Sequence, residues 1–279
     1  MTLSGRTQLL GVIGHPIGHS LSPKMHNAAF AAGGMDYVYV PLDVSPGRLP
    51  AAIEGAAALG FRGLNVTMPH KENIVSLLDE VEAAARVSGA VNTVVIERDS
   101  LWGLNTDGSG FIEACRVAGV ELAGWRVLIV GAGGAAAAIA FALIGEGVAA
   151  LKIVNRTADR AGRLRDRLLL ARLGAEISAG PLESMEEAAM GAEVIINTTY
   201  LGMNDEDPLP VPAGCLDAGK IVCDAVYRAG QETRLIEAAR KLGARVVTGD
   251  RMLLYQGIQA QRLWTNREPD VEAMKDALT

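Results

Sequence analysis

RVLIVGAGGAAAAIAFALIGEGVAALKIVNRT, residues 126–157, is the stretch from which the fold is read. Arg126 to Val130 has the length and β-branched content of a buried parallel strand. Gly131, Gly133 and Ala136 then fit GxGxxA where that strand hands over to a helix. The first glycine permits a tight turn, the second lets backbone approach a pyrophosphate, and the third small residue keeps helix and strand close. The helix N-terminus faces the phosphates. A turn that serves structure alone is the competing reading, and the strand-to-helix context is what separates the two. Leu151 to Val154 supplies the next strand. Where an acidic residue would meet a ribose 2′-hydroxyl, the chain has Asn155, Arg156 and Thr157, with Arg160 one helical turn on. A carboxylate would repel a 2′-phosphate, whereas a guanidinium pairs with it, so the expected cofactor is NADP.

The rest of the chain fits around that unit. Its 279 residues suit two domains, each with its own core, and 49% hydrophobic with 21% charged residues is ordinary globular composition. A net charge of −6 speaks against a nucleic-acid surface and confines positive charge to local sites such as Arg156 and Arg160. Cys115, Cys215 and Cys223 form no CxxC pair, which fits a reducing cytoplasm better than a disulfide scaffold or zinc site. The start of the sequence lacks the pattern of a signal peptide, and the apolar stretch from Gly131 to Leu151 is broken by glycine and Glu146. A crossover helix is expected there, not a membrane span.

Strands are expected at Gln8–Ile13, Tyr37–Leu42, Phe61–Met68, and Ala90–Glu97 paired with Ser100–Leu104 around an Arg98-Asp99 turn. Further parallel strands are expected at Glu193–Asn197, Lys220–Ala225 and Arg245–Thr248, each preceded by helical pattern. Ser22 and Pro23 read as N-cap and first residue of a helix that Gly33-Gly34 stops; Leu49 to Leu59 is a second helix. Asp107 reads as the N-cap of a helix to Ala118, with Phe111, Ile112, Cys115 and Ala118 on its buried face. Strand–helix alternation from end to end means α/β. The expected organisation is a first α/β domain with a mostly parallel sheet, residues 1–106 plus 249–279, and a Rossmann-type domain, residues 107–248. The C-terminal helix returns to the first domain.

Several polar groups stand out. Strand alternation puts Asn65 and Thr67 on one face, with Lys71 in the first turn of a helix opened by Pro69. The positive helix end would lower that lysine's pKa, apt for proton transfer; a surface lysine balanced by Glu72 is the plainer reading. Asp107 is either a simple cap or the carboxylate partner of Lys71. A Lys–Asp pair can shuttle the one proton that reducing a ketone beside a nicotinamide requires. Ser20 and Ser22 at a helix N-terminus suit a carboxylate, although Ser22 need only cap. His15 and His19 are separated by Pro16 and Gly18, a loop rather than a helical metal pair, and no metal is expected. Gln256 and Gln259 also read as the polar face of a helix.

Taken in order, GHPIGHSLSPKMHNAAF, NVTMPHKENI, GAVNTV, NTDGSGF, VLIVGAGGAA, VNRT, NTTYLGM and GDRMLLYQ resemble the shikimate dehydrogenase family from Gln8 to about Asn266. The resemblance implies an NADP-dependent oxidoreductase that reversibly reduces 3-dehydroshikimate to shikimate, on the route to aromatic amino acids. It implies Lys71 and Asp107 as the catalytic pair and Ser20 and Ser22 as holders of the substrate carboxylate. Asn65, Thr67, Asn92 and Gln256 would hold ring hydroxyls or orient the pair, and Tyr227 would close over the carboxylate side. Gly131, Ala132, Gly133, Gly134, Ala135, Asn155, Arg156, Thr157, Arg160, Ala225 and Gly249 would line the cofactor. The family pattern departs after Tyr227: Ala229 stands where a proline is usual, and Thr233 falls one position late. Tyr200 also replaces a small residue or proline. A broader enzyme that also oxidises quinate, or an NADP-binding sensor without catalysis, are the alternatives; an intact Lys71/Asp107 pair argues against the sensor. The expected partner is a small molecule, with no nucleic acid and no membrane, and the chain is compatible with a monomer or homodimer.

Overall fold

A computed structural model describes residues 3–97, 100–171 and 174–279. The chain divides into two compact units, Met1–Thr106 with Leu253–Thr279, and Asp107–Met252. The Arg98-Asp99 turn lies outside the described residues.

The first unit contains β1 (Gln8–Gly14), α1 (Ser22–Ala32), β2 (Tyr37–Asp43), α2 (Leu49–Ala58), β3 (Phe61–Val66), β4 (Glu80–Val81), α3 (Ala83–Ser88), β5 (Thr93–Glu97) and β6 (Ser100–Leu104). Its sheet runs β2-β1-β3-β5-β6-β4. β1 pairs in parallel with β2 and β3, while β5 runs antiparallel to both β3 and β6. The sheet is therefore mixed. One face buries Ile13, Leu64, Val66 and Val94 with Leu49 and Ile53 of α2. The other buries Leu10, Val12, Phe30 and Tyr39 with Ala260 and Trp264 from the C-terminal segment. Alternation along the strands, with both faces apolar, needs helices on each side.

The second unit contains α4 (Asp107–Val117), β7 (Arg126–Val130), α5 (Gly134–Gly145), β8 (Ala150–Val154), α6 (Ala158–Leu170), β9 (Glu176–Gly180), α7 (Met185–Gly191), β10 (Val194–Asn197), β11 (Ile221–Asp224), α8 (Arg234–Lys241) and β12 (Arg245–Val247). All six strands are parallel in the order β12-β11-β10-β7-β8-β9. This is the doubly wound order, reversing between β7 and β10. α5 is buried almost all round, with Ala136, Ile139, Ala140 and Leu143 fully inaccessible. Its alanines let α4 lie close: a Cβ on Gly108 would meet the Ala138 carbonyl oxygen at 2.5 Å. The chain closes with α9 (Gly249–Thr265) and α10 (Val271–Asp276).

Several local expectations change. Ser22 is the first helical residue of α1 and Leu21 is the cap, without a capping side chain. Asp107 likewise lies inside α4, in its first turn. β3 ends at Val66; Thr67 continues its pairing only through its N–H to the Ile13 carbonyl. Among the described residues no α-helix stands between β10 and β11: a 3₁₀ turn, Ala213–Cys215, interrupts that long connection. Ala118 is half-buried, whereas Phe111, Ile112 and Cys115 are buried as the spacing predicts. β9 and β4 are both sheet-edge strands that the apolar pattern does not announce.

The C-terminal segment is fixed to the first sheet by Trp264. Its indole N–H donates to the Val94 carbonyl at 2.9 Å, and the ring occupies the space that a side chain on Gly63 would need. Gly63 sits opposite Val95, so any Cβ there would strike both the indole and the Val94 carbonyl. Gly63→Ala should destabilise the first unit by about 1–3 kcal/mol, the usual cost of overpacking. An unchanged urea midpoint for this variant would show that Trp264 does not hold the segment in place.

Candidate active site

In the first unit the polar candidates converge behind the ends of β3 and β5. Asn65 is 5% exposed, and its Nδ2 donates to the Asn92 carbonyl at 3.1 Å and to Thr93 Oγ1 at 3.2 Å. Tyr39 donates its hydroxyl to Asn65 Oδ1 at 2.7 Å. The Asn92 Nδ2 donates to Thr106 Oγ1 (2.9 Å) and Gln256 Oε1 (3.3 Å), and its Oδ1 accepts from the Thr106 N–H (2.8 Å) and Thr93 Oγ1 (2.9 Å). Gln256 donates in turn to the Leu253 carbonyl at 2.8 Å. Asn65, Asn92 and Gln256 are thus joined in one buried network, as buried amides require. Tyr39 and Thr93 are members that sequence reasoning missed, although Thr93 lies within the GAVNTV motif; Thr106 belongs to the Asn105-Thr106-Asp107 run that leads into α4.

The lysine turn differs from its expected form. Residues 67–72 make a turn around a cis Met68–Pro69 bond, not a helix; a 3₁₀ segment begins only at Asn73. Lys71 therefore has no helix dipole beneath it. It is half-buried, and its carbonyl accepts from the Val91 N–H at 2.8 Å, next to Asn92. The turn is further held by His70, fully buried, whose Nε2 meets the Val44 carbonyl at 2.6 Å. Ser20 accepts the Ser22 N–H on its Oγ at 3.3 Å, and Ser22 is 6% exposed. The Ser22 and Thr67 hydroxyls make no protein hydrogen bond among the described residues.

His26 lies deeper in the same unit. It stacks on Tyr39 with centroids 4.5 Å apart, and its Nδ1 is 3.0 Å from Gln261 Oε1. Burial pulls its pKa down to about 4, so the ring is neutral near pH 7.

In the second unit, Gly131 closes β7 at φ +115°, and a Cβ there would collide with Thr198. Gly133 caps α5 without a side-chain bond, its Cβ position is open space, and Ala132, Gly133, Gly134 and Ala135 are half-exposed. The leading N–H groups of a buried helix thereby face an open cradle. At the end of β8, Asn155 donates to the Thr157 carbonyl at 2.9 Å. Arg156, Thr157 and Arg160 are exposed at the start of α6. Among the described residues, the Arg156 guanidinium has no hydrogen-bond or ion-pair partner.

A second buried network closes β10 and β11, which pair Asn197 directly with Asp224. Asn197 donates to Asp224 Oδ1 (2.9 Å) and to the Leu201 carbonyl (3.0 Å), while its Oδ1 accepts from Thr199 Oγ1 (2.7 Å). Asp224 also accepts from the Val226 N–H at 3.0 Å and from Thr233 Oγ1 at 2.6 Å. These bonds fix Ala225 and the half-buried Tyr227 to the carboxyl end of the sheet. Gly249 packs on the same segment, since a Cβ there would run into the Val226 carbonyl. Neither Asn197 nor Asp224 was singled out from the sequence. Among the described residues no group of three His, Cys, Asp or Glu could hold a metal, and no helix is long and apolar enough to cross a membrane. The three cysteines are buried free thiols.

A doubly wound parallel sheet with an open glycine turn defines the second unit as a dinucleotide-binding fold, in a chain that also carries a smaller mixed-sheet unit. Family models agree in both halves: a shikimate dehydrogenase substrate binding domain matches residues 12–94, shikimate/quinate 5-dehydrogenase matches 113–202, and a shikimate 5′-dehydrogenase C-terminal domain matches 251–279. The NADP(+) shikimate dehydrogenase of Rubrobacter xylanophilus is 57% identical, over 99% of this chain and 97% of that one. The shikimate 5-dehydrogenase of Thermus thermophilus, solved with NADP(H) and shikimate, is 38% identical with a TM-score of 0.86, covering 97% of this chain and 98% of that one. A quinate dehydrogenase from Corynebacterium glutamicum, solved with NAD, is 36% identical with a TM-score of 0.89 over 97% and 98% of the two chains. The chain belongs to the shikimate dehydrogenase family.

Asp224 gives a pH signature. Burial raises its pKa from 3.8 to about 6, against the opposing hydrogen bonds from Thr233, Val226 and Asn197. Its folded pKa lies above the unfolded value, so the folded state holds the proton more tightly and loses stability as pH rises from about 4 to 6. A shift of that size corresponds to roughly 3 kcal/mol. His26, with a lowered pKa, acts in the opposite sense over the same range and loses stability as pH falls, so the parent chain is the reference. Asp224→Asn keeps acceptors for Asn197 and Val226 and a donor toward Thr233. Its stability relative to the parent should be near parity at pH 4 and grow by up to about 3 kcal/mol by pH 7. Parallel melting series for the two proteins check this; a gap that stays constant with pH would mean Asp224 is ionised throughout.

Proposed function

We propose that this protein catalyses the reversible, NADPH-dependent reduction of 3-dehydroshikimate to shikimate on the route to aromatic amino acids, with Lys71 and Asp107 as its acid–base pair. The observation that carries the reading is the buried Asn65–Asn92–Gln256 network, with the Lys71 turn tied to it through Val91. Such a set of fixed amides suits a polyhydroxylated ring, because each hydroxyl needs a directed partner when removed from water.

Ser20 and Ser22, at the uncapped start of α1, are proposed to hold the substrate carboxylate, with Tyr227 closing over it. Asn65, Thr67, Asn92 and Gln256 hold ring hydroxyls or orient the pair. The second unit fits NADP: the Gly131–Ala135 cradle would take the pyrophosphate, and the exposed Arg156, with Asn155, Thr157 and Arg160, the adenosine 2′-phosphate. Ala225 and Gly249 would line the nicotinamide side. When bound, NADPH supplies the hydride that adds to the substrate's carbonyl carbon. Lys71 Nζ delivers the proton to the carbonyl oxygen, with Asp107 as its acid–base partner. The chain belongs in a reducing cytoplasm, in keeping with three buried free thiols, as a monomer or homodimer.

A second reading, that quinate is also oxidised, is favoured by the likeness to a quinate dehydrogenase along nearly the whole chain. Nicotinamide reduction followed spectrophotometrically with NADP⁺ and either shikimate or quinate separates the two, and silence with both overturns the proposal. Lys71→Ala should lower turnover roughly a hundredfold or more, with a much smaller effect on substrate binding. The double variant with Asp107→Asn should be scarcely worse than either single one, because the two act as a unit. In the parent, kcat/KM should favour NADP over NAD by at least about tenfold, close to 1.4 kcal/mol. Arg156→Ala should erase most of that preference; equal efficiency with both cofactors before mutation would remove the assigned role of Arg156.

A further inference from the structure

Every hydrogen-bonding position of the Asn65 amide but one is committed within the protein. Its two Nδ2 protons go to the Asn92 carbonyl and to Thr93 Oγ1. The Asn92 carbonyl can only accept, so the nitrogen must face it and the amide cannot turn over. That places Oδ1 toward Tyr39, whose hydroxyl, 2.7 Å away, has to donate. The buried His26 ring also lies against Asn65, but its Nε2 makes no hydrogen bond, so Asn65 Oδ1 keeps one lone pair and can present nothing except an acceptor. Gln256 is committed in the complementary way. Its Oε1 accepts from Asn92, and Nε2 spends one proton on the Leu253 carbonyl and keeps one to offer.

We propose that Tyr39 is a positioning residue that fixes Asn65 as an obligate acceptor, so that the site admits a ring hydroxyl only as a donor at that position. The proposal rests on the assignment of Asn65 to a substrate hydroxyl made above. Tyr39 is itself rigid. It is 1% exposed on β2, one strand beyond β1, and β1 lies between it and β3. His26 stacks on its ring, and Trp264 packs at a tilted 6.0 Å. Its backbone is clamped by Asn27, which accepts from the Tyr39 N–H at 2.9 Å and donates to its carbonyl at 2.8 Å. His26 is in turn joined to Gln261 of α9, the helix that carries Gln256. One buried layer thus locks α1, β2 and α9 behind Asn65. Without the tyrosine hydroxyl, Asn65 would keep its donors, but its oxygen would lose the bond that sets its direction.

Tyr39→Phe tests this because it keeps the ring, the stacking and the volume and removes one oxygen. KM for shikimate, and its Kd measured by calorimetry, should rise about tenfold, the scale of one misdirected hydrogen bond. The KM for NADP⁺ should stay within twofold, and kcat should fall much less than KM rises. The loss should also depend on Asn65: in an Asn65→Ala background, adding Tyr39→Phe should cost nothing further. A shikimate analogue lacking the hydroxyl that Asn65 holds should bind parent and Tyr39→Phe equally. An unchanged shikimate Kd, or losses that multiply in the double variant, would overturn the role. So would equal losses in both substrates' KM and in kcat, which signal general loosening; a thermal midpoint for each variant identifies that case. If the unmutated chain neither binds nor oxidises shikimate, the failure belongs to the proposed reaction, and the Tyr39 arms are read with the substrate that does bind.

Discussion

The Asn92 side chain is the tie on which the first unit's site depends. Both of its amide protons and its oxygen are spent on residues distant in sequence: Thr106, fourteen positions later, and Gln256, 164 positions later. Its own backbone carbonyl meanwhile accepts from the Val66 N–H and from Asn65. Asn92 is 2% exposed, so each of these bonds replaces one that water supplied in the unfolded chain. An amide left half-satisfied at this depth would cost about 1–3 kcal/mol per orphaned group. Two hydroxyls, three amides and the exit of β6 are therefore set together, not one by one, and the position of Lys71 follows through its bond to Val91.

The second unit reaches order by different means. Its cradle is defined by what is missing: no side chain on Gly131 or Gly133 and no cap on α5, leaving helix N–H groups for a ligand. Directly across the sheet reversal, Asn197 and Asp224 do the opposite and turn their side chains to buried hydrogen bonds within the protein. A rigid rim beside an open turn keeps the neighbouring loops from collapsing into the gap.

The parts legible in the sequence are those with strong periodicity or obligatory glycine. The β7–α5–β8 unit is readable because apolar runs and GxGxxA constrain backbone directly, and its boundaries shift by no more than a few residues. The Lys71 turn reads wrongly as a helix start because Pro69 is equally at home at the first residue of a helix and in a cis turn, and sequence does not show which. Ile74, Leu77 and Leu78 even stand at helical spacing, but the chain reaches them through a 3₁₀ segment, and Val91 takes the Lys71 carbonyl that a helix would have used. Ser22 and Asp107 read one position too far out, as caps, though both are first helical residues. Tyr39 and Asp224 are invisible for another reason. Each sits in an apolar strand where a single polar atom leaves no periodic trace, and its meaning lies in a partner 26 or 9 residues away.

The departure after Tyr227 shows how such networks tolerate a change of length. Arg228 and Gln231 bridge across a turn with Gly230 at φ +66°, so the displaced position is absorbed in a loop that carries no strand. Thr233, although one residue late, still begins α8, accepts the Ile236 N–H at 3.4 Å and donates to Asp224. Ala229 in place of proline removes a fixed φ from this segment. The stiffness is supplied elsewhere: Arg228 pairs with Asp205 at 2.8 Å, and Arg234 donates to the Asp207 carbonyl at 2.8 Å. Asp207 in turn accepts the Gly202 and Asn204 N–H groups, bracing the loop that carries the exposed Tyr200. The Arg228–Asp205 pair is exposed at its carboxylate and contributes little by itself, but three linked contacts on one loop restrict it where a lone surface pair would not. Side-chain bridges between two loops thus constrain a segment, Tyr227–Thr233, that has no proline of its own.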